Sequence, residues 1–170
     1  MKKYFLFIFL SIALAASAQF KSATLQASCL TCAMCSNAIN KSLKTLSFVE
    51  KVEPDIATSS FVITFKKDAE INFDQLRKKV EDAGFSVAKL QVVTVFNNAN
   101  VQNDQPVTLQ GKVLHFVNIK NQVLSGEKTI TIVDKNFLSA KEYKKFAALT
   151  KAESFKTGEA QGVRIYHVTI

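Results

Sequence analysis

Apolar and polar residues follow regular periods along much of the chain. Residues 23–27 alternate between apolar and polar, which predicts a β-strand with one buried face. Ile39, Leu43 and Leu46 then recur at helical spacing and predict a helix over about 33–46. A short loop that contains cysteines separates the two predicted elements.

Two further strands are predicted after this helix. Residues 49–56 hold valines and an isoleucine at strand-like spacing but are interrupted by Pro54. Because proline has no N–H to donate to a neighbouring strand, we expect this second strand at the edge of its sheet. Residues 61–66 alternate strongly between apolar and polar and predict the third strand.

A second helix and a fourth strand complete the first pattern. The helix is predicted over 73–83, with Gly84 as its C-terminal stop, and the strand over 85–95. The order strand, helix, strand, strand, helix, strand is that of an α+β ferredoxin-like sandwich, in which two helices cover one face of a four-stranded antiparallel sheet. The second strand is an edge strand in this topology, which agrees with the position inferred from Pro54.

The pattern changes after residue 95. The sequence NNANVQNDQ is polar and has no period, so a linker is predicted over 96–106. It would separate a first domain over 19–95 from a second, small β-rich domain over 107–170.

The second domain is predicted from weaker signals. A helix over 139–149 would begin at Ser139, with Glu142 at the capping-box position. Strands are predicted at three places: 109–119, 128–133 and 163–170. A strand-rich order with one late helix in so short a segment favours a small barrel, with an OB-like fold as the candidate.

Residues 1–18 have the layout of a secretory signal peptide. Lys2 and Lys3 precede an apolar stretch that is too short to span a bilayer and that ends in small residues at 16–18. The mature chain should therefore begin at Gln19 and be exported, either to a periplasm or out of the cell. No later stretch is long and apolar enough to cross a membrane, so the protein is not expected to be membrane-embedded.

Charge adds little to this picture. The 22 Lys and Arg residues, two of them in the signal segment, exceed the 14 Asp and Glu residues, but they are scattered. A basic groove with interleaved aromatic residues is lacking, so we expect no nucleic-acid partner. Lys41 and Lys44 on the first helix fit either a docking face for an acidic partner or an ordinary solvated face.

The three cysteines of the chain lie together at Cys29, Cys32 and Cys35. Thiols at this spacing between a strand and a helix indicate soft-metal binding or thiol redox chemistry. Cys35 would lie in the first helical turn, where the helix dipole favours thiolate. In an oxidising compartment these thiols must be protected by a metal, kept reduced by a partner, or paired.

These segments resemble the heavy-metal-associated domains of copper chaperones, metal-pumping ATPases and the periplasmic mercury-binding protein. The matching stretches are CLTCAMC, AINKSLKTL, VEKV and EDAGFSV, within about 23–93. The resemblance implies a non-enzymatic protein that binds a metal through Cys32 and Cys35. It also implies Cu(I) as the first candidate metal, and transfer to a metal-transport protein or another metal-binding domain.

The sequence departs from the family pattern at the metal loop. Cys29 and Leu30 replace the family's Gly-Met pair, so a third thiol precedes the metal pair. Two thiolates suit nearly linear Cu(I) or Hg(II), whereas three fit a trigonal site for Cu(I), Cd(II), Pb(II) or Zn(II). Phe85 matches an aromatic residue beneath the family's metal loop, where either shielding or a plain core role is open. Met34 is a candidate auxiliary ligand or a surface residue without a role.

Several alternatives stay open. The same cysteines fit a thiol oxidoreductase or redox sensor, or a vestigial metal domain locked as a disulfide. When oxidised, the odd thiol of Cys29 would allow a disulfide-linked dimer. An iron–sulfur cluster is set aside because it needs a fourth thiolate. His115 and His167 in the second domain could be metal ligands or structural histidines, and a partner-binding role is the default for that domain.

Overall fold

A computed structural model describes residues 19–28 and 33–170 of the chain. The predicted signal peptide over 1–18 lies outside the described residues, and so do Cys29 and Cys32. Cys35 and both histidines lie within them.

The helices and strands are introduced here in chain order. Within the described residues they are β1 (Phe20–Ser28), α1 (Ala33–Lys44), β2 (Val49–Asp55), β3 (Ser60–Phe65), α2 (Phe73–Asp82), β4 (Ser86–Val101), β5 (Gln105–Leu109), β6 (Lys112–Phe116), β7 (Gln122–Ile132), α3 (Ala140–Ala147), α4 (Ser154–Thr157), β8 (Glu159–Ala160) and β9 (Val163–Thr169).

The first six elements form the predicted ferredoxin-like unit. Their strands pair antiparallel in the order β2-β3-β1-β4, and α1 and α2 contact each other as well as β2 and β4 respectively. β2 forms one edge of the sheet, with Pro54 opposite Phe61 on β3. The edge position predicted from Pro54 is therefore confirmed, and the predicted helix bounds are correct to within two residues.

The polar segment predicted as a linker is largely strand. β4 continues to Val101, and its second half pairs with β7, so that Ala99 lies opposite Leu124. The register shifts between Phe96 and Ala99, where Asn98 has a φ of 47°. A bulge of this kind removes the regular alternation, and asparagine tolerates a positive φ, which explains why the segment lacks a strand pattern.

The remaining strands extend the same sheet, and a separate OB-like barrel is not confirmed. The sheet order continues from β4 through β7, β9 and β6 to β5, with β6 and β9 parallel. The segment predicted as one strand over 109–119 instead contains the turn of the β5–β6 hairpin, at Gln110 and Gly111 with φ values of 47° and 70°, followed by β6. The pairing of β7 along the edge of β4 was not predicted from the sequence.

The hydrophobic core runs through both halves of the chain. Phe73 on α2 meets Phe20 on β1 and Tyr166 on β9 edge to face, with ring centroids 5.2 and 5.1 Å apart. Leu90 on β4 lies between Leu25 on β1 and Ile132 on β7 and is fully buried. The added strands therefore share one core with the ferredoxin-like unit.

A smaller apolar cluster lies under the C-terminal helices. It contains Val133 and Phe155, and partly buried residues of α3 pack against it. The predicted N-cap of α3 at Ser139 is confirmed, since the Ser139 hydroxyl accepts from the Glu142 backbone N–H at 3.3 Å; the same hydroxyl donates to the Glu142 carboxylate at 2.7 Å. No helix of the described residues is both long and apolar enough to cross a membrane.

Candidate metal centre

Cys35 lies in the first turn of α1, as predicted from the sequence. The helix begins at Ala33 and buries Ser36, Ile39 and Leu43 against the sheet. This leaves Cys35 partly exposed, while 84% of Met34 is exposed. The side of the helix start that bears these sulfur atoms is therefore open to a ligand or a partner.

The structure holds Cys35 in a disulfide. Cys29 and Cys32, the other predicted ligands, lie outside the described residues. A disulfide sulfur is a poor metal ligand, because soft metals bind the thiolate. The metal-binding form therefore requires two electrons to reduce this disulfide before a metal can be captured.

The strand end before the cysteine loop is held in place by neighbouring segments. The Ser28 hydroxyl donates to the Ser86 carbonyl at 3.0 Å, and the Ala27 N–H donates to the Ser59 carbonyl at 3.0 Å. Phe85 is partly buried and packs against the main core. The geometry fits a core role for Phe85, whether or not it also shields a bound metal.

The second half of the chain reaches this end of the sheet. A cavity beside the end of β1 is lined by Ser28 and Ser86 and also by Asn136, Leu138 and Ser139 from the segment after β7.

Lys41 and Lys44 are exposed on α1. Their exposure fits both alternatives, a docking face for an acidic partner and an ordinary solvated face.

The two histidines lie together, but their hydrogen bonds are made to other side chains. Their ring centroids are 5.1 Å apart. His115 Nε2 lies 3.3 Å from Asp104 Oδ1, while His167 uses Nδ1 with Asp134 Oδ1 at 2.6 Å and Nε2 with Ser154 Oγ at 3.0 Å. Burial lowers the pKa of His115 although Asp104 opposes this shift. With both nitrogens of His167 already bonded, the geometry favours structural histidines over the alternative of a metal role.

Clusters of three or more His, Cys, Asp or Glu side chains that could hold a metal ion are absent from residues 19–28 and 33–170. The partners of the histidines were missed by sequence reasoning. Asp134, Asp104 and Ser154 lie 33, 11 and 13 positions from the histidines they contact, and no local pattern marks them.

A charged network joins α2 to β9. Asp74 Oδ2 accepts from Arg164 Nε and from the Tyr166 hydroxyl, each at 2.9 Å. Arg164 Nη2 also lies 3.1 Å from Asp134 Oδ2 as an ion pair, and its guanidinium lies over the Tyr166 ring. Burial raises the pKa of Asp74, but the hydrogen bond and charge of Arg164, the hydrogen bond from Tyr166 and the charge of Arg77 together lower that pKa below its usual value.

Comparison with known proteins finds a family match for a segment of the chain. Residues 24–86 match the family model of the heavy-metal-associated domain. A copper-transporting ATPase of Helicobacter pylori is 38% identical over 60 residues, which are 35% of this chain and 8% of the ATPase. The chain thus spans less than a tenth of the length of that relative.

Two solved structures each resemble a part of this chain. The oxidised MerP of Ralstonia metallidurans CH34 is 32% identical, with 42% of this chain and 97% of MerP covered and a TM-score of 0.36. The Atx1-Cu(I)-Ccc2a complex gives 30% identity, coverage of 39% and 90%, and a TM-score of 0.35.

Proposed function

Residues 24–86 of this chain belong to the heavy-metal-associated domain family, and from this membership we propose that the protein binds Cu(I) through Cys32 and Cys35 after export. It then passes the metal to a metal-transport protein or another metal-binding domain. The family match carries the proposal, and the 38% identity to a copper-transporting ATPase favours copper among the soft metals.

The position of Cys35 supports metal capture at neutral pH. The dipole at the start of α1 favours the thiolate that a soft metal needs. Two thiolates satisfy Cu(I), which accepts low coordination numbers, and a third from Cys29 would make the site trigonal. Hg(II), Cd(II) and Zn(II) are the alternative metals for such thiolates.

The surroundings of the loop support transfer to a partner. Cys35 is partly exposed and Met34 is almost fully exposed, so a partner's thiolates can approach the metal from solvent. Lys41 and Lys44 lie farther along α1 and would attract a partner with an acidic surface. The signal-like segment over 1–18 would deliver the protein outside the cytosol, where these contacts take place.

A competition titration tests the proposal. The mature protein beginning at Gln19 is reduced without oxygen and titrated with Cu(I) against bicinchoninate, a chromophoric chelator. We expect one Cu(I) per chain, loss of tight binding in Cys32→Ser and in Cys35→Ser, and weakened binding in Cys29→Ser.

Met34→Leu is the matched control, because it alters an exposed sulfur within the same turn and leaves the thiols in place. It should keep the wild-type affinity. Full affinity in Cys35→Ser would contradict the proposal, because no thiolate from α1 would then be needed.

A thiol redox function is the second candidate, and the disulfide at Cys35 is the observation that favours it. An oxidoreductase would catalyse the reduction of insulin by a dithiol. A metal carrier would not raise the rate of this reduction beyond the contribution of its free thiols. Air-oxidised protein on a non-reducing gel should also contain a disulfide-linked dimer through Cys29, which Cys29→Ser removes. A strictly monomeric wild type would contradict the dimer.

A further inference from the structure

Ser154, His167 and Asp134 form a continuous hydrogen-bonded chain in the second half of the protein. Ser154 Oγ lies 3.0 Å from His167 Nε2, and His167 Nδ1 lies 2.6 Å from Asp134 Oδ1. Because a carboxylate can only accept, the tautomer that fits this geometry has its proton on Nδ1. Nε2 is then the acceptor for the Ser154 hydroxyl, which is the order of nucleophile, base and orienting group.

The base is held rigidly in this orientation. His167 is fully buried, and the Phe155 and His115 rings lie 5.0 and 5.1 Å from its ring. Asp134 is also buried; its Oδ1 accepts from the His167 backbone N–H at 3.3 Å, and its Oδ2 lies 3.1 Å from Arg164 Nη2. The imidazole therefore cannot turn away from Ser154 without breaking these contacts.

Ser154 lies at the solvent-exposed end of this hydrogen-bonded chain. Ser154 is the first residue of α4 and is partly exposed, between exposed Glu153 and buried Phe155. A cleft of about 250 Å³ is lined by residues 155–159 and Arg164, next to Ser154 along the chain. Because Ser154 is partly exposed and His167 is fully buried, a small electrophile can approach the hydroxyl from solvent while the base stays shielded from water.

We propose that Ser154 is an activated nucleophile that takes acyl groups from small, activated esters. Ser154 Oγ attacks the carbonyl carbon and forms the C–Oγ bond, while its proton passes to His167 Nε2. The bond to the leaving oxygen then breaks, and Nε2 returns the proton to that oxygen. Water attacks the acyl-serine in the same manner and releases the acid.

Asp134 is a positioning residue in this scheme. It keeps the proton on Nδ1 and compensates the positive charge that His167 acquires during attack. The proposal departs from the expectation of a non-enzymatic protein and concerns residues outside the heavy-metal-associated domain. It does not depend on the metal proposal, because no cysteine takes part.

Labelling with a fluorophosphonate tests the proposal in the full mature chain with its thiols alkylated. Attack by Ser154 forms an O–P bond and expels fluoride, and peptide mass spectrometry locates the label. We expect labelling at Ser154, its loss in Ser154→Ala, and no change in Ser47→Ala, which removes an exposed serine elsewhere. His167→Gln should slow labelling by about 100-fold or more, the usual effect of losing a general base.

Two further measurements cover the case that a His167 variant fails to fold. Ser154 in the folded wild type should label about 100-fold faster than in the same protein unfolded in urea. Asp134→Asn should slow labelling, and Asp134→Glu should restore part of the rate, which a purely structural carboxylate would not do. Labelling of Ser154 at the rate of Ser47, or equal rates in folded and unfolded protein, would overturn the proposal.

Discussion

Replacing Asp74 by asparagine tests how strongly charge holds α2 to β9. The carboxylate accepts from Arg164 and from Tyr166, each at 2.9 Å, and hydrogen bonds to charged groups contribute about 1.5–3 kcal/mol each. The side chains of Asp74 and Arg164 are 32% and 33% exposed, which screens the pair. Asparagine keeps one acceptor and Arg164 keeps Asp134, so we expect a net loss of about 2 kcal/mol in the free energy of unfolding.

The loss should depend on pH with a defined sign. The pKa of Asp74 is lowered in the folded state, so the unfolded chain binds the proton more tightly. The stabilisation is therefore complete above the unfolded pKa of about 3.9 and is lost as pH falls through the lower folded pKa. The asparagine side chain does not titrate, so the difference in stability should begin to shrink below about pH 4 and disappear only below the lowered folded pKa of Asp74.

Urea unfolding followed by far-UV circular dichroism measures this, since the chain has no tryptophan. Both proteins should be compared in the same disulfide state and should show equal denaturant slopes. Asp82→Asn is the matched control on the same helix, because Asp82 makes only an exposed pair with Lys78 at 2.8 Å and should change stability by less than about 0.5 kcal/mol. A difference below about 0.5 kcal/mol for Asp74→Asn at pH 7, or one that persists undiminished at pH 3, would refute the reasoning.

Two further predictions concern the junction of the two halves. Leu90→Ala should lower the free energy of unfolding by about 2–5 kcal/mol, because Leu90 is fully buried between β1 and β7. Urea unfolding should remain a single transition, and two separate transitions would contradict a shared core. Val123→Ala, at an exposed position, is the control. A chain that ends at Val101 should melt at a lower temperature and associate on size-exclusion chromatography, because β4 loses its pairing with β7 and exposes a strand edge. A monomeric fragment with the melting temperature of the full chain would show that the junction contributes little to stability.

The sequence determined those features that depend on local periodicity and local hydrogen bonding. Alternation along β1 and β3 and helical spacing along α1 and α2 were sufficient to predict the ferredoxin-like order. Pro54 located the sheet edge because the missing N–H is a property of the residue itself. The N-cap of α3 at Ser139 and the place of Cys35 in the first turn of α1 were predicted for the same reason, since each depends on neighbours within four positions.

The tertiary structure alone decided how the second half joins the first. β4 extends through a polar segment because a bulge at Asn98 shifts the register, and its pairing partner β7 begins about twenty positions later. The parallel pairing of β6 with β9 joins strands separated by two helices. The chain of Ser154, His167 and Asp134 likewise forms only when α4, β9 and the end of β7 meet, because contacts between residues far apart in sequence leave no periodic signal in it.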